Sequence, residues 1–340
     1  MKKYLLPKEG QFYKANLHCH TTISDGRLTP EKVKEQYMAH GYSVVAYTDH
    51  NLMVPHPELQ SDDFVALTGY EIDVEEQQPE KLPSVKTCHF CLVALDPDIT
   101  KQVCWSRKEM PQNEVAEKLW EELYKEEEDY ERVYNPAWIS EMMRIGRENG
   151  FFITYNHPVW SLEDMYDYLH YHNMDAMEIC NYGSMVLGYP EYSPHIYDEM
   201  LRYGKRIYCI AADDNHNHAP VDSPKYDSFG GFTMIKADNL KYETIAKALK
   251  DGNFYASQGP EIKELWYEDG VVHVKTGPAK RIEFMTGKRS AYSEYAAAGE
   301  TVDYACFKVP ADAVYVRVTV VDECGKCANT NAYFLDEINL

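Results

Sequence analysis

Up to about residue 257, short apolar runs alternate with helical stretches, and His, Asp or Glu closes or follows five of the runs. Such alternation predicts parallel strands joined by helices, because a strand needs a crossover before its neighbour can run the same way. Predicted strands are 15–18, 43–48, 64–71, 90–95, 151–155, 176–180, 207–211 and 231–236. Helix punctuation agrees. Thr29 can cap a helix with Pro30 at its first position and Gly41 past its end. Asn135–Pro136 opens a second that stops at Gly150, Ser161 opens a third, and Gly252 follows the one that begins near Leu240. The segment 96–135 reads as an insertion, mostly helical after Pro111, with the acidic run from Glu121 to Glu131 as a solvated helix face. After Gly259–Pro260 short β-type runs take over, and 315–321 (TyrValArgValThrValVal) has the period of a half-buried strand. The expectation is an α/β unit over 1–257 and a small all-β sandwich domain over 258–340.

The five fragments are AsnLeuHisCysHis (16–20) with SerAspGly (24–26), TyrThrAspHis (47–50), GlyTyrGluIle (69–72), TyrAsnHisPro (155–158) and AlaAspAspAsnHis (212–216). Strand ends in a strand-and-helix barrel converge on one face, so side chains distant in sequence can meet there. An extended backbone sends His18 and His20 the same way and Cys19 the other. Two imidazoles side by side suit Zn²⁺, Mn²⁺ or Fe²⁺ better than they suit a core. Asp214-x-His216 repeats the arrangement with one carboxylate. Each pair alone is more often structural than functional. Together they point to a metal site, because buried His, Asp and Glu all need partners.

The fragments resemble the motifs of the PHP (polymerase and histidinol phosphatase) superfamily. The resemblance rests on Asn16–His20 followed by Ser24–Gly26 and Thr29–Glu31, on Thr48–His50, on Asn156–Pro158 and on Asp214–His216, over roughly residues 13–257. The tail, with PheTyrAlaSerGlnGlyPro (254–260) at the junction, is similar to a β-sandwich appended to some members. The resemblance implies a distorted (β/α)7 TIM-like barrel holding two or three divalent metal ions. His18, His20, Glu71 and Asp214 would surround one ion. Glu71, His89 and His157 would hold a second, with Glu71 bridging, and Asp25, His50 and His216 a third. Asp25 stands where many members carry His, and His89 precedes its apolar run instead of ending it. Ions so placed would share a hydroxide that attacks a phosphoester, with the developing charge stabilised electrostatically. A proton for the leaving oxygen would come from His218 or the neighbourhood of His50, and Arg27 would either clamp phosphate through its fork or stand in a surface ion pair.

Charge narrows the substrate. A formal charge of −21, from 34 basic and 55 acidic side chains, repels long nucleic acid and anionic membrane. A small phosphomonoester or nucleotide-like molecule is the expected partner. The nine Cys fall mostly in apolar runs (Cys91, Cys180, Cys209), as buried thiols of a reducing compartment do. No apolar run approaches a membrane span, and the Leu5–Leu6 stretch before Pro7 is too short for a signal peptide, so a cytoplasmic location is expected. Two alternatives stand. An amidohydrolase-type enzyme also uses His-x-His, but no Lys stands in the fragments that end the site-bearing strands, where a bridging carbamate would sit. A non-catalytic, metal-stabilised barrel presenting its β domain is the other. Cys324-x-x-Cys327 and Gly230–Gly231 read as turns, and His170-x-His172 as surface.

Overall fold

The computed structural model describes residues 2–77 and 85–338. Its core is a mixed α/β assembly around a 14-stranded sheet. Along the part that carries the site, the strands lie in the order Phe232–Ala237, Gln11–Asn16, Val44–Tyr47, Val65–Glu75, Thr87–Ala94, Phe151–Tyr155, Ala176–Asn181 and Tyr208–Ala212. Parallel pairing joins Gln11–Asn16 through Val44–Tyr47 to Val65–Glu75, and again Phe151–Tyr155 through Ala176–Asn181 to Tyr208–Ala212. Between these sets Thr87–Ala94 is antiparallel to both neighbours. The regular strand–helix succession expected of a (β/α)7 barrel is therefore broken there. The last strand returns beside Phe232–Ala237, but the Thr233 hydroxyl joins them in place of a ladder, donating to Ala211 O (2.9 Å) and accepting from Ala211 N (3.3 Å).

The helix starts follow local chemistry where the N-cap was readable. Pro30–Ala39 begins after Thr29, whose side chain accepts from Lys32 N, and Pro136–Glu148 begins after Asn135, which accepts from Trp138 N. Ser161 opens no helix. Asp164 caps the short helix Met165–Tyr168 with a reciprocal box to Asp167, while the Ser161 hydroxyl turns to His157 Nδ1 at 3.2 Å. The segment 96–135 is less helical than expected, since only Glu114–Leu123 coils and Tyr124–Glu131 is turn and extended chain. Its apolar side chains Trp105, Ala116 and Tyr124 pack on Ile23 and Leu52, so it lies over the loops that follow the first two site-bearing strands.

The C-terminal part does not stand off as a separate sheet. Phe254–Ser257 pairs with Cys327–Thr330, which continues the large sheet into Tyr315–Val321, Arg281–Met285 and Ala291–Tyr295. A four-stranded sheet of Lys2–Tyr4, Ile262–Glu268, Val271–Ala279 and Val302–Lys308 shares one apolar cluster with it, Leu265 and Val274 meeting Phe284 and Val318. Strand Tyr315–Val321 is buried on both faces, not one. Val316, Val318 and Val320 join that cluster, while Arg317 binds Asp198 on the other face. Among the described residues no helix is long and apolar enough to cross a membrane.

Candidate metal centre

All nine of the residues singled out as ligands come together at one end of the parallel strands. His18 and His20 follow Gln11–Asn16, His50 follows Val44–Tyr47, His157 follows Phe151–Tyr155, and Asp214 and His216 follow Tyr208–Ala212. Glu71 sits within Val65–Glu75. His89 reaches the same place from the beginning of its strand, because an antiparallel strand starts where its parallel neighbours end. Alternation at His18-x-His20 holds: their Nε2 atoms are 3.0 Å apart, and Cys19 packs on the other side with Val33 and Tyr37.

Glu71 is the hub. Its Oε1 lies 3.2 Å from His18 Nε2, 3.2 Å from His89 Nδ1 and 3.4 Å from His157 Nε2. Its Oε2 lies 3.2 Å from His50 Nδ1 and 3.4 Å from His20 Nε2. Asp214 Oδ1 closes the other side, 3.2 Å from His18 Nε2 and 3.0 Å from His20 Nε2. Asp25 forms an outer group, 3.4 Å from His216 Nε2 and 4.0 Å from His50 Nε2, with His20 Nδ1 at 3.8 Å. The ligand sets divide differently from the resemblance: His50 stands with Glu71 and His89 as well as with Asp25 and His216, and His157 stands with His18 and Glu71.

Four buried polar atoms in this cluster have no hydrogen-bond partner among the described residues: His50 Nδ1, Glu71 Oε2, His89 Nδ1 and Asp214 Oδ1. Orphaned polar atoms are costly to bury, and a divalent cation is the partner that imidazole nitrogen and carboxylate oxygen share. The donor set therefore fits divalent metal. Electrostatics agree. Burial works against charge on His18 and His20, yet neighbouring acidic groups, Asp214 and Glu71 among them, hold both imidazoles well above their usual range. Burial likewise opposes charge on Glu71 and Asp214, yet the surrounding imidazoles hold both carboxyls well below theirs. The cavity is thus poised to stabilise positive charge among its carboxylates.

A second layer fixes the ligands, and the sequence did not disclose it. Glu178, inside Ala176–Asn181, accepts from His18 Nδ1 (2.8 Å), from the His157 backbone N–H (3.0 Å) and from Asn181 Nδ2 (2.8 Å). Its one outward sign is a lone acid in the apolar run AlaMetGluIleCys. Carboxylate-to-His support of this kind sets the ring orientation and raises ligand basicity. Asn156 Nδ2 donates to Glu71 Oε1 at 2.8 Å. Asp49 gathers Thr21 N, Ser24 N and both hydroxyls, shaping the loop that carries Asp25. His157 and Asp214 themselves hold positive φ, 22° and 53°, a conformation that a non-glycine residue keeps only when its surroundings enforce it.

A cavity of about 480 Å³ opens over the cluster, lined by His50, His157, His216 and Asp214 and, beyond them, by Trp160, Leu187, His218 and Lys225. His218 is exposed, and its Nδ1 accepts from Arg27 Nε at 3.1 Å. Neither Arg27 nor Lys225 has a carboxylate partner among the described residues. Trp160 and Lys225 were not foreseen either, since loop residues without a spacing pattern carry no sequence signal. His170 and the Cys324–Cys327 turn lie away from the cavity lining.

No family model matches the chain, and no curated protein does. Solved structures are similar to the chain, among them the following three. One is a two-domain protein from Bacteroides vulgatus containing a predicted PHP-like metal-dependent phosphoesterase, 14% identical over 94% of each chain with a TM-score of 0.46. Another, from Bifidobacterium adolescentis, is provisionally designated a metal-dependent phosphoesterase, 16% identical over 73% of this chain and 98% of that one, TM-score 0.40. The third is an amidohydrolase from Chromobacterium violaceum with bound sulfate and no metal, 14% identical over 59% of this chain and 87% of that one, TM-score 0.37.

Proposed function

We propose that the chain is a metal-dependent hydrolase of small phosphoesters. The observation that carries this reading is the set of four buried atoms without a hydrogen bond among the described residues, inside a cluster of six His and three carboxylates that opens on a cavity. Divalent cations, when bound, supply Lewis acidity and an activated water for in-line displacement at phosphorus. His18, His20, His50, Glu71, His89, His157, Asp214, His216 and Asp25 would hold them. Lys225, a lining residue with no carboxylate partner among the described residues, and Arg27, bonded to the lining residue His218, suit the phosphoryl oxygens. His218 lines the cavity beside Arg27, and it is the residue we assign to deliver the proton to the leaving oxygen.

An amidohydrolase reading is less favoured because Glu71 takes the position between the His groups, where a bridging carbamate would need a Lys. The test is a hydrolysis panel with protein loaded separately with Zn²⁺, Mn²⁺ and Fe²⁺. Release of inorganic phosphate from small monoesters, with no cleavage of amides or lactones, is the expected result. Amide or lactone cleavage without phosphate release would refute the proposal.

A further inference from the structure

The cavity over the cluster is chemically lopsided. Near the ligands it offers nitrogen and carboxylate oxygen, whereas Trp160, Val186, Leu187 and Ala219 supply apolar surface. Trp160 is fixed at the boundary, its ring centroid 5.2 Å from that of His89 and 5.0 Å from that of His157. Apolar surface therefore begins directly beside the ligand rings. Leu187, just after the short helix Tyr182–Val186, is 68% exposed and lines the cavity.

Apart from Lys225 and His218, which the phosphoryl end takes, groups that would recognise a sugar or polyol are few in the same lining. Among the described residues it contains no Asn, Gln or Arg side chain, and Ser184 is its one hydroxyl. Asp227 is already committed, accepting from the backbone N–H groups of His216 (2.7 Å) and Asn217 (3.0 Å). A polyhydroxylated leaving group would leave its hydroxyls unpaired against this wall, which a binding site penalises.

We infer that the substrate is a phosphomonoester whose organic group is compact, apolar and uncharged, and that Trp160 and Leu187 select it. The inference rests on the phosphoester reading above. The metal positions take the phosphoryl end and the Trp160–Val186–Leu187 surface takes the group beyond the ester oxygen. A volume of about 480 Å³ suits a single-ring or short branched alcohol.

Non-hydrolysable phosphonates isolate this preference from leaving-group reactivity. Ethylphosphonate, 2-phenylethylphosphonate and 2,3-dihydroxypropylphosphonate are to be titrated calorimetrically into the metal-loaded full chain. The expected result is that the phenylethyl compound binds about tenfold or more tighter than the dihydroxypropyl one. In Leu187→Asp, an exposed and fold-neutral change, that ratio should shrink to about threefold or less with metal content unchanged. Trp160→Ala should shrink it as well. Equal binding of the phosphonates by the native protein, or an undiminished ratio in Leu187→Asp, overturns the inference while leaving the phosphoester reading intact. Failure of every phosphonate to bind overturns both.

Discussion

Glu178 shows how a residue outside the ligand set can govern the site. It is fully buried, and its two oxygens serve His18 Nδ1, the His157 N–H and Asn181. Glu178→Gln keeps the shape but loses the charge that makes His18 a strong ligand. Metal affinity should fall by roughly 10–100-fold while the circular dichroism spectrum is unchanged; native affinity in the variant would contradict the assigned role. Glu163 makes a separate prediction. Its carboxyl accepts from Tyr155 OH (2.5 Å), Tyr134 OH (3.0 Å) and Tyr171 OH, and burial pushes it up to about 8 from an ordinary 4.5. The folded state then keeps a proton that the unfolded state releases. This contribution to stability is complete below pH 4.5 and is lost as pH rises toward about 8. Denaturation curves for Glu163→Gln should lack that part of the decline; identical pH slopes would contradict it. The ligands themselves were legible because His-x-His and Asp-x-His carry their geometry in two-residue periodicity. Glu178 was not, since His18 is distant from it in sequence, and Trp160 was not, since a loop residue carries no spacing pattern.

At the level of elements, capping chemistry was legible and strand direction was not. Thr29–Pro30 and Asn135–Pro136 place helix starts through a single side-chain acceptor each. Nothing local told that Thr87–Ala94 runs backwards, and that reversal is what brings His89 into the site. The acidic run Glu121–Glu131 misled for a related reason. Like charges offer little to hold a helix together once Tyr124 turns inward to the Met53 carbonyl. The segment 96–135 is anchored instead by Arg132, whose guanidinium donates to Cys104 O (3.2 and 3.0 Å), to Asp73 O (3.3 Å) and to Asn51 Oδ1. It thus ties the insertion to the residue after His50. Arg132→Met should cost about 1–3 kcal/mol of stability by leaving buried carbonyls unpaired. A denaturant midpoint equal to that of the native protein would show the anchor to be elsewhere.

Across the whole molecule, the texture change near residue 258 was legible, whereas the continuity of the sheet through it was not. Backbone pairing between Phe254–Ser257 and Cys327–Thr330 depends on partners about 70 positions apart, and no local pattern encodes such register. One buried ion pair makes the join specific. Arg317 Nε and Nη2 meet the two Asp198 oxygens at 2.8 and 2.6 Å, and Tyr315 OH adds a bond of 2.7 Å. Arg317→Met strands a buried carboxylate and should destabilise the whole chain by about 3–5 kcal/mol in a single unfolding transition. Two separate transitions, with only the C-terminal part weakened, would contradict this coupling.

The central claim is that the His and carboxylate cluster exists to hold divalent metal. Elemental analysis of the purified protein, beside His18→Ala/His20→Ala, tests it directly. We predict at least two divalent ions per native chain and a loss of at least one in the double variant. Native protein that binds no divalent ion on reconstitution, or a double variant of unchanged stoichiometry, would contradict the account.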